Sequence, residues 1–167
     1  MSRPDGSAGT AALAALAKAG VVFAVHSYEH NSGETHFGSE GVARLGLDPC
    51  RVFKTLIAKV AASPASRLVV GLVPVAGQLD LKALASAAGG KKAAMAEPAL
   101  AERTTGYVVG GISPFGQKTV LETIADVSVA DFETVFVSAG RRGLQVEVRP
   151  ADLISLTGAA LAPIARL

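Results

Sequence analysis

Two apolar segments lie close together in the 167-residue chain and limit the architectures open to it. Residues 50–60 and 67–75 are rich in β-branched and aliphatic side chains, which favours two strands. Between them Pro64 lies among serines, a composition typical of a hairpin loop. The two segments therefore predict a β-hairpin in which residues 67–75 form the most apolar strand.

Short helical and extended patterns fill the rest of the chain. Strands connected both directly and through helices predict a mixed α/β fold. We expect a curved, barrel-like, mostly antiparallel mixed sheet flanked by helices, with residues 1–9 as a flexible N-terminal tail and 10–167 as a single domain. Helices are predicted over 11–19 (Thr10 as N-cap), 39–45, 80–88 (Asp80 as N-cap), 98–104 and 152–157, and further strands over 21–28, 93–95, 119–124, 134–138 and 144–148, with a Gly-rich strand and loop over 106–111.

The composition excludes several classes of protein but does not predict a specific function. The formal net charge of +2 is too small to predict nucleic-acid binding, which depends on clustered basic residues. Cys50 is the single cysteine, so neither an intrachain disulfide nor a cysteine metal cluster can form. No apolar run of membrane-spanning length occurs, and a soluble, cytoplasmic protein is expected.

Several common catalytic motifs are absent from the sequence. It contains neither the His-x-Glu and paired-Cys pattern of zinc deaminases, nor a Gly-x-Ser-x-Gly elbow, nor a phosphate-binding P-loop. His26, His30 and His36 fall on a predicted strand and turn, where their spacing does not place them on one face. Locally hydrogen-bonded histidines are therefore favoured over a metal site, and no metal or cofactor is expected.

Lys54 is the first residue to suggest a binding site. It interrupts an apolar strand, between Phe53 and the Thr55-Leu56-Ile57 run. Such a lysine either extends to solvent from the polar face of the strand or directs its ammonium into a pocket for an anion or a carbonyl group. The residue pattern alone leaves both interpretations open, with the solvated face favoured.

Two glycine-containing loops are further candidates. In residues 109–116, the adjacent Gly110 and Gly111 allow close backbone approach and leave N–H donors exposed, although a plain hairpin or β-bulge explains them equally well. Arg141 and Arg142 lie between glycines after a predicted strand, which suits an anion or a solvated turn.

Five ordered segments together resemble the YbaK/ProX aminoacyl-tRNA editing family, within which the Cys-tRNA(Pro) deacylases are most similar. The likeness runs from about residue 10 to 165. The segments that carry it are Tyr28-Glu29-His30, Val52-Phe53-Lys54-Thr55-Leu56, Pro74-Val75-Ala76-Gly77-Gln78-Leu79-Asp80, residues 105–114 (Thr-Gly-Tyr-Val-Val-Gly-Gly-Ile-Ser-Pro) and Gly143-Leu144.

The resemblance implies hydrolysis of Cys-tRNA(Pro) in trans without a protein nucleophile, metal or cofactor. Lys54 and Gly110 would be the catalytic residues and orient the terminal adenosine and its ester. Tyr28, Gly111 and Ser138 would bind substrate. The thiol of the substrate would attack the ester carbonyl, which leaves Cys50 a bystander.

The resemblance also implies partners and leaves alternatives. The aminoacyl end of tRNA(Pro) would be bound, with prolyl-tRNA synthetase as a further possible partner. Gln145 occupies a position where close relatives carry an acidic residue. This difference affects which amino acid on the tRNA we expect the protein to accept. Editing of another small residue, such as Ala-tRNA(Pro), and a non-catalytic tRNA- or synthetase-binding module are the alternative functions.

Overall fold

The computed structural model of the protein describes residues 9–167. The predicted tail at residues 1–9 therefore lies outside the described residues, apart from Gly9. Within residues 9–167, no helix has both the length and the apolar character that crossing a bilayer requires.

Five helices and ten strands make up the described chain. The helices are α1 (Ala11–Ala19), α2 (Phe37–Leu45), α3 (Leu81–Ala87), α4 (Pro98–Thr105) and α5 (Pro150–Thr157), with a 3₁₀ helix at Val127–Asp131. The strands are β1 (Phe23–Ser27), β2 (Phe53–Ala61), β3 (Arg67–Pro74), β4 (Gln78–Leu79), β5 (Lys92–Met95), β6 (Glu122–Asp126), β7 (Val135–Ser138), β8 (Leu144–Val148), β9 (Ala160–Ala162) and β10 (Ala165–Arg166).

The predicted hairpin is confirmed and forms the middle of a five-stranded sheet. β2 and β3 pair antiparallel, with Phe53 opposite Pro74 and Val60 opposite Arg67. The sheet has the order β5-β2-β3-β6-β9, and β6 runs parallel to both of its neighbours. Alternate side chains of the hairpin enter two separate hydrophobic clusters, Ile57 in one and Ala58 in the other. Burial on both faces explains the nearly continuous apolar pattern of these strands.

The other strands form two smaller sheets, β1-β8-β7 and β10-β4. A parallel bridge between Val52 and Phe136 connects the three-stranded sheet to the edge of β2. Five of the seven strand pairings are antiparallel. The mixed α/β fold class is thus confirmed, although the described strands form three sheets and not one closed barrel.

The predicted helix caps are present. The Thr10 hydroxyl accepts a hydrogen bond from the Leu13 N–H at 3.2 Å. The Asp80 carboxylate accepts one from the Ala83 N–H at 3.0 Å. Each bond satisfies an N–H group that the helix itself leaves unpaired.

The Gly-rich strand predicted within residues 106–111 does not form. Gly106 ends α4 with a φ of +82°, and Gly110 has a φ of +88°. The Gly111 N–H donates to the Val108 carbonyl at 2.8 Å, so the backbone turns instead of extending. Positive φ values at two glycines are incompatible with a regular strand, and the segment is a loop throughout.

Candidate active site

A cavity of about 530 Å³ opens beside the middle of β2. Its walls come from the start of α2, from β2, from the segment between β5 and α4, from the loop after α4, and from β7 and β8. The lining residues are His36, Phe37, Gly38, Ser39, Val52, Phe53, Lys54, Thr55, Leu56, Ile57, Val75, Met95, Ala96, Pro98, Ala101, Val109, Gly110, Ile112, Ser138 and Gln145.

The cavity exists because one edge of β2 is only partly covered. β5 pairs with Ala58–Ala61, and the bridge to β7 lies at Val52. Among the described residues, 53–57 therefore have no strand neighbour on that side, although the Ile57 carbonyl accepts from the Ala96 N–H at 3.0 Å. All five of them line the cavity. A gap in a sheet edge presents main-chain N–H and C=O groups to whatever enters it. The site is thus built where two sheets meet without closing.

Lys54 lies on this open edge and is half-buried. Within residues 9–167 its ammonium makes no hydrogen bond and no ion pair. Burial lowers the pKa of the Lys54 ammonium, because removal from water disfavours the charged form. Of the two interpretations from sequence, the pocket is therefore the one that the structure supports.

Gly110 lines the same cavity. A β-carbon at this position would lie 2.5 Å from Cγ of the Phe37 ring, so only glycine fits. The Arg142 guanidinium covers the same ring at 4.5 Å from its centroid and donates from Nε to the Val109 carbonyl at 2.9 Å. The Phe37 ring is thus fixed between the glycine loop and Arg142.

Gly111 has a different environment from Gly110. It is not among the lining residues, and a β-carbon there would lie 2.7 Å from Cα of Arg141. Gly111 therefore lets the glycine loop approach the backbone of the turn between β7 and β8. Its predicted part in substrate binding stays a prediction.

Two polar side-chain atoms of cavity-lining residues have no hydrogen-bond partner within residues 9–167. Thr55 and Gln145 are 9% and 7% exposed. Thr55 Oγ1 and Gln145 Oε1 are the buried side-chain polar atoms of the described residues that have no hydrogen-bond partner. Leaving such an atom unsatisfied costs about 1–3 kcal/mol. Both residues line the cavity, but these two oxygens are themselves covered by protein atoms.

Ser138 and Tyr28 lie on either side of Gln145. Ser138 lines the cavity and is directly opposite Gln145 in the β7–β8 pairing. Tyr28 is not a lining residue and lies behind Gln145, where both side chains approach Gly41. Burial raises the pKa of the Tyr28 hydroxyl, and the Glu40 carboxylate raises it further. The structure therefore places Lys54, Gly110 and Ser138 in the lining of one cavity. Tyr28 is separated from that cavity by the Gln145 side chain.

The start of α2 forms a wall that the sequence did not predict as functional. His36, Phe37, Gly38 and Ser39 all line the cavity, and in the described chain no side chain caps this helix end. The first N–H groups of a helix carry partial positive charge. The helix itself was predicted to begin at Ser39, two residues after its observed start at Phe37. No local pattern marks it as part of a site.

The three histidines occupy three separate environments. His26 bonds to Glu147 at 3.0 Å, His30 to Glu40 at 2.6 Å and His36 to Glu34 at 3.1 Å. Only His36 lines the cavity. His30 and His36 are thus bonded to carboxylates near them in the sequence, as predicted, whereas the partner of His26 is on β8.

Among the described residues, the cavity contains hydroxyl groups but no activated nucleophile pair. Ser39, Thr55 and Ser138 line it, and none of their hydroxyls is hydrogen-bonded to a histidine within residues 9–167. A serine or threonine nucleophile needs such a base. Cys50 is exposed and lies outside the lining. The geometry instead provides a cation, main-chain groups and polar side chains, which suits binding and polarisation of a small polar ligand.

Comparison with known proteins gives the family. The profile of a family described as aminoacyl-tRNA editing domain matches residues 34–156. The chain is 40% identical over 138 residues to EbsC of Enterococcus faecalis, described as a candidate Cys-tRNA(Pro)/Cys-tRNA(Cys) deacylase, with 82% of each chain covered. It is 32% identical over 104 residues to the multifunctional Ser/Thr-tRNA deacylase ProXp-y of Escherichia coli, with 62% of each chain covered.

A solved structure supports the fold. A candidate trans-editing enzyme for prolyl-tRNA synthetase superimposes with a TM-score of 0.76 at 22% identity, over 95% of this chain and 99% of that chain. Lys54, Gly110, Ser138 and Gln145 all fall within the segment that the family profile matches, whereas Tyr28 precedes it. By the extent of that match and by its similarity to EbsC, the chain belongs to the aminoacyl-tRNA editing domain family.

Proposed function

We propose that this protein is an aminoacyl-tRNA deacylase that hydrolyses Cys-tRNA(Pro) in trans. The observation that carries the proposal is Lys54, which lines a cavity of about 530 Å³ and whose ammonium is half-buried and unpartnered among the described residues. Family membership and the similarity to EbsC support the choice of substrate.

Lys54 acts on the ester carbonyl. Its ammonium lies in a partly dehydrated environment, where a charge stabilises developing negative charge better than it does in water. It orients the ester and stabilises the oxyanion that forms when the carbonyl carbon is attacked. Gly110, whose N–H makes no hydrogen bond within residues 9–167, holds the same end of the substrate through its backbone.

The nucleophile comes from the substrate. The cysteine sulfur attacks its own ester carbonyl, a carbon–sulfur bond forms, the bond to the ribose oxygen breaks, and the thiol proton passes to that oxygen. Water then opens the cyclic thioester to free cysteine. The protein contributes orientation and charge stabilisation, which suffice for a reaction that is already intramolecular.

Thr55 and Gln145 select the bound amino acid. A rotation of either side chain that turns its covered oxygen toward the cavity lets that oxygen accept a hydrogen bond from the α-ammonium or from a polar group of a small side chain. A substrate that cannot donate to them leaves both oxygens unpaired, at a cost that discriminates against it.

Recognition of the whole tRNA requires a partner. With a net charge of +2, the protein offers little basic surface for tRNA, so its own binding is weak and strongly salt-dependent. Prolyl-tRNA synthetase, which binds tRNA(Pro), is the proposed partner, and the cytoplasm is the proposed location.

The test is a deacylation panel on tRNA(Pro) charged with cysteine, alanine, proline or 2-aminobutyrate. 2-Aminobutyrate replaces the cysteine thiol by a methyl group of similar size. We expect Cys-tRNA(Pro) to be cleared fastest, the isostere slowly, and Pro-tRNA(Pro) to survive. If cysteine and 2-aminobutyrate are released at equal rates, the thiol is not the nucleophile and the mechanism is wrong.

Clearance of a hydroxyl amino acid is a second candidate function. Two observations favour it: Gln145 is a neutral hydrogen-bonding residue in the cavity wall, and the Escherichia coli relative is named as a Ser/Thr-tRNA deacylase. Adding Ser-tRNA to the panel decides between the two. Faster release of serine than of cysteine would favour this candidate.

A further inference from the structure

A second cavity adjoins the first at Lys54. Its volume is about 500 Å³, and it lies beside the turn between β3 and β4 and the end of β10. Lys54 and Val75 line both cavities, and Lys54 is the charged residue of the two. The lining residues are Lys54, Val75, Ala76, Gly77, Gln78, Arg166 and Leu167.

Arg166 is placed on this second cavity by the pairing of two short strands. β10 pairs antiparallel with β4, which sets Arg166 opposite Gln78. The adjoining turn packs closely against it, because a β-carbon on Gly77 would lie 2.8 Å from the Arg166 carbonyl oxygen. The backbone that carries the guanidinium is therefore fixed on one wall.

Two of the side chains that line this cavity are cationic. Arg166 is exposed and makes no hydrogen bond or ion pair through its side chain within residues 9–167. The second cation is Lys54, and no acidic side chain is among the lining residues of the described chain. Two unpaired cations at one groove create an environment that favours an anion, and a guanidinium matches two oxygens of a phosphate.

We infer that Lys54 and Arg166 together bind the phosphodiester that precedes the terminal adenosine of the tRNA. This inference rests on the proposed function, since it needs the aminoacyl ester in the first cavity. The single-stranded 3′ end then leaves through the second cavity, and Lys54, at their junction, contacts both the ester and the phosphate. Arg166 is a binding residue and takes no part in the chemical step.

The test compares wild type with Arg166→Gln on two substrates. One is Cys-tRNA(Pro), and the other is 3′-O-cysteinyl-adenosine, which has the ester but no phosphate. Arg149→Gln is the matched control, because Arg149 is also exposed but lines neither cavity. We expect Arg166→Gln to raise KM for the tRNA about tenfold, with kcat unchanged. Its rate on the adenosine ester should equal that of wild type.

The salt dependence provides a second readout. Loss of one phosphate contact should reduce the slope of log KM against log salt by about 0.7 for a single strand. An unchanged KM for the tRNA, an equal loss on the adenosine ester, or an equal effect of Arg149→Gln would each overturn the inference.

A binding measurement separates this inference from the proposed function. An RNA pentanucleotide that ends in CCA and carries no amino acid is titrated against each protein, so that no deacylation is involved. Weaker binding by Arg166→Gln supports the phosphate site even if wild type clears no aminoacyl-tRNA, in which case only the deacylase proposal fails. Equal binding by wild type and Arg166→Gln overturns the phosphate site, even if the deacylase is active.

Discussion

Gly110 shows how a single backbone position lets the Phe37 ring pack in the cavity wall. It has a φ of +88°, and the Phe37 ring fills the space that a side chain would need. Gly158 has a similar φ of +67°, but a β-carbon there would meet open space, with no atom beyond its chain neighbours within 4 Å. A side chain at either glycine would therefore be strained by the positive φ, but only a side chain at Gly110 would also collide with the Phe37 ring.

Replacing each glycine by alanine separates these effects. We expect Gly158→Ala to cost about 1–2 kcal/mol of unfolding free energy through strain alone. Gly110→Ala should cost more and displace Phe37, so that deacylation falls at least tenfold. Urea unfolding and single-turnover rates measure both. Wild-type activity in Gly110→Ala, with stability equal to that of Gly158→Ala, would contradict the assigned geometry.

Gln145 is the residue at which recognition of the amino acid can be tested. Its buried Oε1 has no partner among the described residues, and Leu is close to it in size. We expect Gln145→Leu to narrow the preference for cysteine over 2-aminobutyrate about tenfold, because the acceptor is lost. The ratio of kcat/KM for the two charged tRNAs measures this. An unchanged ratio would assign Gln145 a purely structural role.

At the scale of elements, α2 is held against the chain that precedes it by one carboxylate. Glu40 accepts from the Asn31 N–H at 2.8 Å and bonds to the His30 ring at 2.6 Å. The hydrogen bond from His30 is the main cause that lowers the pKa of the Glu40 carboxyl. The start of α2 lines the cavity, so this contact also positions one wall of the site.

The lowered pKa of Glu40 gives a pH dependence with a definite sign. A carboxylate whose pKa is lower in the folded state stabilises that state above the unfolded value of about 4.3. This contribution disappears as the pH falls through the lowered pKa. We expect the stability difference between wild type and Glu40→Gln to be largest between about pH 5 and 7 and to shrink below about pH 4. Urea unfolding across this range checks it, and a constant difference would contradict it.

The elements that the sequence predicted are those with local signals. Caps at Thr10 and Asp80 and the apolar run of β3 were sufficient to predict α1, α3 and the hairpin. The strands β4, β9 and β10 were not predicted, because each has two or three residues and is defined by a distant partner. Residues 106–111 were predicted partly as a strand, and the prediction was wrong because glycine allowed left-handed backbone there.

At the scale of the whole molecule, the cavity follows from which strands share an edge. β5 covers the last four residues of β2, and β7 forms a bridge to Val52, the residue before β2. The uncovered stretch between them becomes the site. Such long-range pairing leaves no trace in local periodicity. The residue pattern alone therefore does not decide whether the Lys54 side chain lies in solvent or in a pocket. The family resemblance is needed to place Lys54 and Gly110 in one site.

Because the cavity is formed by long-range strand pairing, the family resemblance could not identify all of its lining residues. It named Lys54, Gly110 and Ser138, which line one cavity, but it did not locate Thr55 or the first residues of α2. Gln145 was noted only as a departure from the family pattern. Its significance depends on burial and on an unpaired oxygen, and both are properties of the folded chain.

Lys54 carries the central claim, and its strand offers a matched control. Lys59 is also on β2 but is exposed and lines neither cavity. Burial lowers the pKa of Lys54, so the folded protein binds that proton less tightly than the unfolded chain does. The buried ammonium therefore costs stability below the lowered pKa, and Lys54→Met should fold at least as stably as wild type.

The most direct measurement is the single-turnover rate of Cys-tRNA(Pro) hydrolysis by wild type, Lys54→Met and Lys59→Met, each first shown to be folded by thermal unfolding. We predict that Lys54→Met loses about 100-fold or more, as expected when a charge that stabilises the transition state is removed. Lys59→Met should stay within about twofold of wild type, in line with a solvated surface charge. A folded Lys54→Met protein that hydrolyses Cys-tRNA(Pro) at the wild-type rate would contradict the account.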